Sequence, residues 1–237
     1  MYKLFNIEPT NHCNAKCNFC PNGLDMMKRP KGFMNVKTLL DAMFYNESDT
    51  VGIFGCGEPL LHPHIVTIVQ TIAKSGRQCK FPTKTQLNTN GLLLTQKMYD
   101  DLRTAGLYRL IVSVDYFDGK CPDVEEHPDL PIERFVINRE AKEGEIKKEL
   151  HSWGEQVGHE DRERIECNFY LDGWVQVMWD GTIVRCCMDY DAKEPMSNVA
   201  YPYPYYDGQT ISQCAKCKGF RFHSALVNGD YEGKEND

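Results

Sequence analysis

From Lys3 to about residue 150, short apolar runs alternate with stretches of helical period, and that alternation restricts the fold more than any other feature of the chain. Strands that alternate with helices at this pace predict a parallel sheet built from βαβ units rather than a series of hairpins. The first strand is predicted at Lys3-Leu4-Phe5-Asn6-Ile7-Glu8 and is closed by Pro9, which has no N–H to give a ladder. Asn35 is placed to cap a helix reaching Phe44, and Val51-Gly52-Ile53-Phe54 reads as a short buried strand. A helix is expected over 64–74, a third strand over 85–88, and a helix over 95–105 that Gly106 ends. The fourth strand covers 109–115 and puts Ser113 and Asp115 on one face. After a proline-bearing loop, the fifth strand covers 133–138, with Arg139 at its C-terminal end. Five units of this kind predict an α/β protein with a partial, open (β/α) barrel over residues 1–150, and the C-terminal ends of parallel barrel strands are where a site is expected.

Cys13, Cys17 and Cys20 follow the first strand directly. Three thiolates within eight residues make a site one ligand short of the four that a cubane iron–sulfur cluster has available. A vacant coordination position marks a metal site that does chemistry. Zinc or disulfides are the plainer readings, but zinc requires a fourth ligand nearby, and His12 adjoins Cys13 at the wrong spacing. Gly55-Cys56-Gly57-Glu58-Pro59 comes straight after the second strand, where small residues let the backbone approach a ligand. Thr89-Asn90-Gly91 ends the third strand, although Asn-Gly is also the commonest of turn dipeptides.

Together, C-x3-C-x2-C with Phe19 before its last cysteine, G-C-G-E-P and T-N-G resemble the radical S-adenosylmethionine (radical SAM) enzymes. That resemblance implies a [4Fe–4S] cluster on Cys13, Cys17 and Cys20 whose fourth iron chelates the amino and carboxylate groups of SAM. It implies SAM contacts from Phe19, Gly57, Glu58, Asn90, Ser113 and Asp115. Cys56 stands where the family's motif has its first glycine. Arg139 would clamp the SAM carboxylate or a substrate anion, as a guanidinium can; the plainer reading makes it the start of a solvated, charged helix face reaching Lys148.

Eleven cysteines exceed what that loop explains. No apolar run is long enough to cross a membrane and the N-terminus lacks a signal-peptide apolar region, so a cytoplasmic, reducing setting is expected and metal ligation accounts for the thiols. A net charge of −7 gives no basic field for nucleic acid, which is an unfavoured partner. Beyond residue 150 the pattern changes to a hairpin, with Asp180-Gly181 at its turn, Cys167 before it, Cys186 and Cys187 after it, and Cys214-x2-Cys217 further on. A closing helix is expected over 220–227, which makes 151–228 a small hairpin-plus-helix subdomain and 229–237 a polar tail. Four thiolates in this pattern suit a structural zinc equally well. The arrangement resembles the twitch subdomain, a shortened SPASM domain, which implies one auxiliary [4Fe–4S] cluster on Cys167, Cys186, Cys214 and Cys217. Cys187 is the rival to Cys186, because successive strand residues point to opposite faces.

The layout is similar to that of the small twitch-type radical SAM dehydrogenases, which oxidise a secondary alcohol of an aminocyclitol. It implies hydrogen abstraction by a 5′-deoxyadenosyl radical and oxidation of a small polar substrate, with a reducing electron donor such as flavodoxin or ferredoxin. The alternatives are a maturase that modifies a peptide substrate and a non-catalytic metal-binding protein. Glu8, Asp115 and the tyrosines of 201–206 are the acid–base candidates.

Overall fold

The computed structural model describes residues 2–75, 83–116, 122–137, 140–147 and 173–200. Within them the chain forms β1 (Lys3–Ile7), α1 (Val36–Phe44), β2 (Thr50–Ile53), α2 (Ile65–Ser75), β3 (Lys84–Thr89), α3 (Gln96–Thr104) and β4 (Arg109–Ser113). The remaining strands are β5 (Ile132–Val136), β6 (Glu145–Lys147), β7 (Trp174–Val177), β8 (Thr182–Val184) and β9 (Pro195–Asn198). All nine strands join one sheet in the order β6-β5-β4-β3-β2-β1-β7-β8-β9. Every pairing from β6 through β1 to β7 is parallel, and only β7–β8 and β8–β9 are antiparallel. The result is a mixed, mostly parallel α/β sheet, as the alternation predicts.

The helices form where their apolar residues make one stripe. In α2, Ile65, Ile68, Val69 and Ile72 are buried, which is the spacing that puts side chains on a single helical face. The N-caps are the residues that can supply a side-chain acceptor: Asn35 accepts the Thr38 N–H at 2.9 Å, and Thr95 accepts that of Met98 at 3.2 Å. These helices cover Leu4, Ile53, Leu87 and Leu110, all fully buried in the sheet. Tyr99, also enclosed, has its hydroxyl satisfied by the Leu130 carbonyl at 2.6 Å and the His127 N–H at 2.8 Å.

Three expectations change. A sixth parallel strand, β6, pairs with β5 in the stretch expected to be a solvated helix face, so the sheet exceeds five units. Asp115 does not share a strand face with Ser113. Ser113 ends β4, whereas Asp115 lies in the short 3-10 turn Val114–Tyr116, where its Oδ1 accepts the Ile137 N–H at 2.9 Å. Finally, the hairpin over 174–184 extends the main sheet, because β7 pairs in parallel with β1. Its turn needs a glycine: Gly181 has φ +86°, with its N–H on the Met178 carbonyl at 2.9 Å. Among the described residues no helix is long and apolar enough to cross a membrane.

Candidate active site

Parallel pairing puts the C-terminal ends of β1 to β4 on one edge of the sheet, and the cysteine loop rises from that edge. Its neck is closed by Met34 N–H to the Pro9 carbonyl at 2.8 Å, Thr10 Oγ1 to the Gly32 carbonyl at 2.7 Å, and Gly32 N–H to Asn11 Oδ1 at 2.9 Å. Cys13, Cys17 and Cys20 are not joined in disulfides, and each is half-buried. The Ala15 N–H donates to Cys13 Sγ at 3.4 Å, and the Cys20 N–H to the Cys17 carbonyl at 3.3 Å. Phe19, beside Cys20, is half-buried as well.

Among the described residues no three His, Cys, Asp or Glu side chains converge as ligands of a single ion would. A cubane asks for something different, since each cysteine takes a separate iron and the sulfurs stand apart. Three cysteines outside any disulfide, carried by one tightly folded loop, suit that demand. The Cys20 thiol is lowered to about 7, chiefly because the Cys56 S–H donates to its sulfur and secondarily through the Asn22 and Gly23 N–H groups. Burial pushes Cys13 up, and Cys56 is pushed well up by the bond to Cys20 and by its own burial. A thiolate is the ligating form, so Cys20 is prepared for a metal near neutral pH.

The Gly55-Cys56-Gly57-Glu58 stretch packs directly beneath this loop. A Cβ on Gly57 would overlap the Thr10 carbonyl oxygen and stand 2.8 Å from the His12 oxygen, so only glycine allows the Glu58 N–H to reach the His12 carbonyl at 2.8 Å. Glu58 is 2% exposed, and its carboxylate accepts from the Leu60 N–H at 2.9 Å, the Thr89 hydroxyl at 2.6 Å and the Asn90 N–H at 2.8 Å. Burial raises its pKa against the opposing pull of these three donors. The side chain therefore clasps the end of β3 to the end of β2. Asn90 in turn donates to Asn14 Oδ1 at 2.8 Å and lies 4.0 Å from Cys13 Sγ. The structure thus gathers Cys13, Cys17, Cys20, Gly57, Glu58 and Asn90, with Ser113 and Asp115 further along the same edge. Arg139, Cys167, Cys214 and Cys217, together with the closing helix expected over 220–227, lie outside the described residues.

Sequence reasoning missed Arg29. Its guanidinium grips both oxygens of Glu8, which is 0% exposed, and its Nε donates to the Tyr190 carbonyl at 2.6 Å. Lys28-Arg29-Pro30-Lys31 reads as a solvated basic run, and nothing local marks one member as buried. Enclosed in this pair, Glu8 has no face for a substrate, which removes it as an acid–base candidate. Asp191 adds a second tie by accepting the Lys28 N–H at 2.8 Å, and Trp179 adds a third by donating Nε1–H to the Pro30 carbonyl at 3.3 Å. The return arm of the cysteine loop is thereby fastened to the segment that carries Cys186 and Cys187. Those two cysteines lie past the end of β8 rather than within a strand, so strand alternation does not decide between them, and the neighbouring Cys187 together with burial holds the Cys186 thiol well above its ordinary range.

A profile of the Radical SAM superfamily matches residues 7–148, and the chain belongs to that superfamily. Membership implies SAM and a [4Fe–4S] cluster. The GTP 3′,8-cyclase of Synechococcus sp. is 30% identical over 122 residues, covering 47% of this chain and 33% of that protein. The tungsten-containing aldehyde ferredoxin oxidoreductase cofactor-modifying protein of Pyrococcus furiosus is 29% identical over 117 residues, covering 48% of this chain and 31% of its own length. The match thus spans about a third of these relatives. Among solved structures, BtrN in complex with AdoMet and 2-DOIA superposes with a TM-score of 0.64 at 19% identity, covering 97% of this chain and 88% of BtrN. Streptococcus suis SuiB bound to precursor peptide SuiA gives 0.53 at 14% identity, covering 92% and 70%. At such identities both show a shared fold.

Proposed function

We propose that the chain is a radical SAM oxidoreductase acting on a small polar substrate, with its SAM-binding cluster on Cys13, Cys17 and Cys20. The cluster would supply the electron that cleaves SAM to a 5′-deoxyadenosyl radical, and that radical takes a substrate hydrogen. The observation that carries this reading is the convergence of the cysteine loop, Gly57-Glu58 and Asn90 on one strand-end edge. Gly57 lets the β2 loop press against the cysteine loop, and Glu58 orders Asn90 beside Cys13. Backbone carbonyls around Gly57, with Phe19, Ser113 and Asp115 on the same edge, would receive SAM, and Arg139 would face a carboxylate there.

An auxiliary [4Fe–4S] cluster on Cys167, Cys186, Cys214 and Cys217, in a region 151–228, would take the electron that substrate oxidation releases. Support for Cys186 over Cys187 comes from the Met188 N–H, which donates to Cys186 Sγ at 3.4 Å just as Ala15 does to Cys13. Likeness to BtrN along nearly the whole chain, where the bound molecules are AdoMet and 2-DOIA, favours a small substrate over a peptide. The fold shared with SuiB, bound to its precursor peptide, keeps peptide modification as the second reading.

The test is anaerobic reconstitution followed by iron and sulfide counting, then incubation with SAM, dithionite and a panel of polyols and aminocyclitols. Two clusters, with 5′-deoxyadenosine formed in step with a ketone product, are expected. One cluster only, or SAM consumed as a methyl donor, would sink the oxidoreductase reading.

A further inference from the structure

The sheet face turned away from the helices carries a small cluster of its own, in which Phe5 and Trp174 are buried and Phe54 packs against them. Strand alternation puts Gly52 and, just past β2, Phe54 on this face, with Gln86 and Asn88 of β3 beside them. Asn6 of β1 is in register with Gly52 on the other side. Only a glycine fits under Phe54, because a Cβ on Gly52 would overlap the ring at Cε1. The half-buried ring therefore stands over the middle of the face, with Phe5 perpendicular to it at 5.5 Å. Amides flank it. Asn6 is fully buried and donates Nδ2–H to the Phe54 carbonyl at 2.6 Å, while its Oδ1 meets no donor among the described residues. A bare buried acceptor is costly, which points to a ligand that supplies the donor. On the far side a chain of bonds sets the amides. Arg109 closes on both oxygens of Glu133 and gives Nη1–H to Gln86 Oε1 at 3.1 Å, so Gln86 Nε2 is left to donate to Asn88 Oδ1 at 3.0 Å. Half-buried Asn88 then presents Nδ2, a donor with no acceptor among the described residues.

We infer that Phe54, Asn6 and Asn88 form a subsite for an uncharged polyol, a cyclitol or sugar ring whose C–H face lies on Phe54 and whose hydroxyls meet Asn6 Oδ1 and Asn88 Nδ2. An aromatic surface with a few fixed polar groups is the make-up of a small-molecule site. A hydroxyl both donates and accepts, so one functional group answers the bare acceptor and the bare donor together. Asn88 lies two residues, about 7 Å of strand, before Asn90, which stands beside Cys13. The subsite is therefore at the foot of the edge where the cysteine loop and Glu58 meet. The charged groups nearby are already spent, Arg109 on Glu133 and Glu8 on Arg29, and neither pair leaves a charge for a phosphate or an ammonium. This narrows the small polar substrate proposed above, on which it rests, to uncharged polyols.

Saturation-transfer difference NMR on the anaerobically reconstituted full chain with SAM reads binding without turnover. The probes are myo-inositol, scyllo-inositol, glucose and galactose, each beside its amino and phosphorylated counterparts. The strongest transfer is expected to an uncharged probe and to the C–H protons of one ring face. Its affinity should fall about fivefold in Asn88→Ala, which removes one hydrogen-bond donor, and should fall also in Phe54→Leu, which keeps the volume and removes the ring. Should the alanine variant lose its far-UV circular dichroism, Asn88→Asp carries the same expectation, since it keeps the acceptor for Gln86 and lacks the donor. Transfer to none of the probes, transfer to charged counterparts only, or an affinity unchanged in the folded Asn88 variant would overturn the inference. Failure of the underlying oxidoreductase reading looks different: an uncharged polyol bound with this dependence on Asn88, but no ketone formed when dithionite is added.

Discussion

Arg29→Met separates the consequences of the buried ion pair from those of loop packing. In the wild type the Glu8 carboxylate is fully enclosed and faces the Arg29 guanidinium and the Cys56 N–H. It cannot turn to water, because Gly55 closes over it so tightly that a Cβ there would stand 2.6 Å from Glu8 Cγ. Methionine fills much of the arginine's volume but leaves a buried, uncompensated carboxylate, and breaking a buried pair in this way costs about 3–5 kcal/mol. Total stabilities of about 5–15 kcal/mol make that a large fraction. The loss also cuts the Nε link to Tyr190, so the tie between the cysteine loop and the Cys186 segment should loosen with it. Urea unfolding at matched iron content, followed by tryptophan fluorescence and far-UV circular dichroism, reads the change. Glu8→Gln combined with Arg29→Met leaves no charge behind and should cost less than Arg29→Met alone. A loss below about 1 kcal/mol in the single variant, or a double variant as costly as the two singles summed, refutes the reasoning.

Two further perturbations follow from the geometry. Gly57→Ala drives a Cβ into the backbone of Thr10 and His12, so a loss of about 1–3 kcal/mol is expected, with reduced iron content after reconstitution. His62 is fixed neutral, with Nε2–H on the Met34 carbonyl at 2.9 Å and Nδ1 accepting the His64 N–H at 3.1 Å, and burial holds its pKa below the ordinary 6.5. The unfolded chain then takes the proton more readily. Stability should be full above about pH 6.5 and fall as the pH drops toward the folded-state value, more steeply than in His62→Gln, as unfolding midpoints at about pH 7.5 and about pH 5.5 would show.

Much of the fold is legible because its strands are apolar and its helices periodic. Residues 64–74 announce α2 through Ile65, Ile68, Val69 and Ile72, and Asn35 and Thr95 mark helix starts by their capping chemistry. The edge strands are not legible. Glu145-Ile146-Lys147 and Pro195-Met196-Ser197-Asn198 lie at the two ends of the sheet, keep partly or fully exposed side chains, and carry no apolar pattern. Nor does a hairpin signal reveal that its first strand will pair in parallel with β1, since that contact joins residues about 170 apart in sequence. At the site, the spacing of Cys13, Cys17 and Cys20 and the small residues around Glu58 are readable as local motifs. The pairings Glu8 with Arg29 and Cys20 with Cys56 are long-range, and an isolated arginine or cysteine carries no local sign of its partner.

The central claim is that thiolates of the Cys13 to Cys20 loop hold a cluster with one iron open to SAM. EPR of the anaerobically reduced protein with and without SAM, paired with 5′-deoxyadenosine measurement, addresses it most directly. A spectrum that changes on adding SAM, and nucleoside formation abolished by Cys17→Ala, are predicted. A spectrum indifferent to SAM, or cleavage that persists in Cys17→Ala, would contradict it.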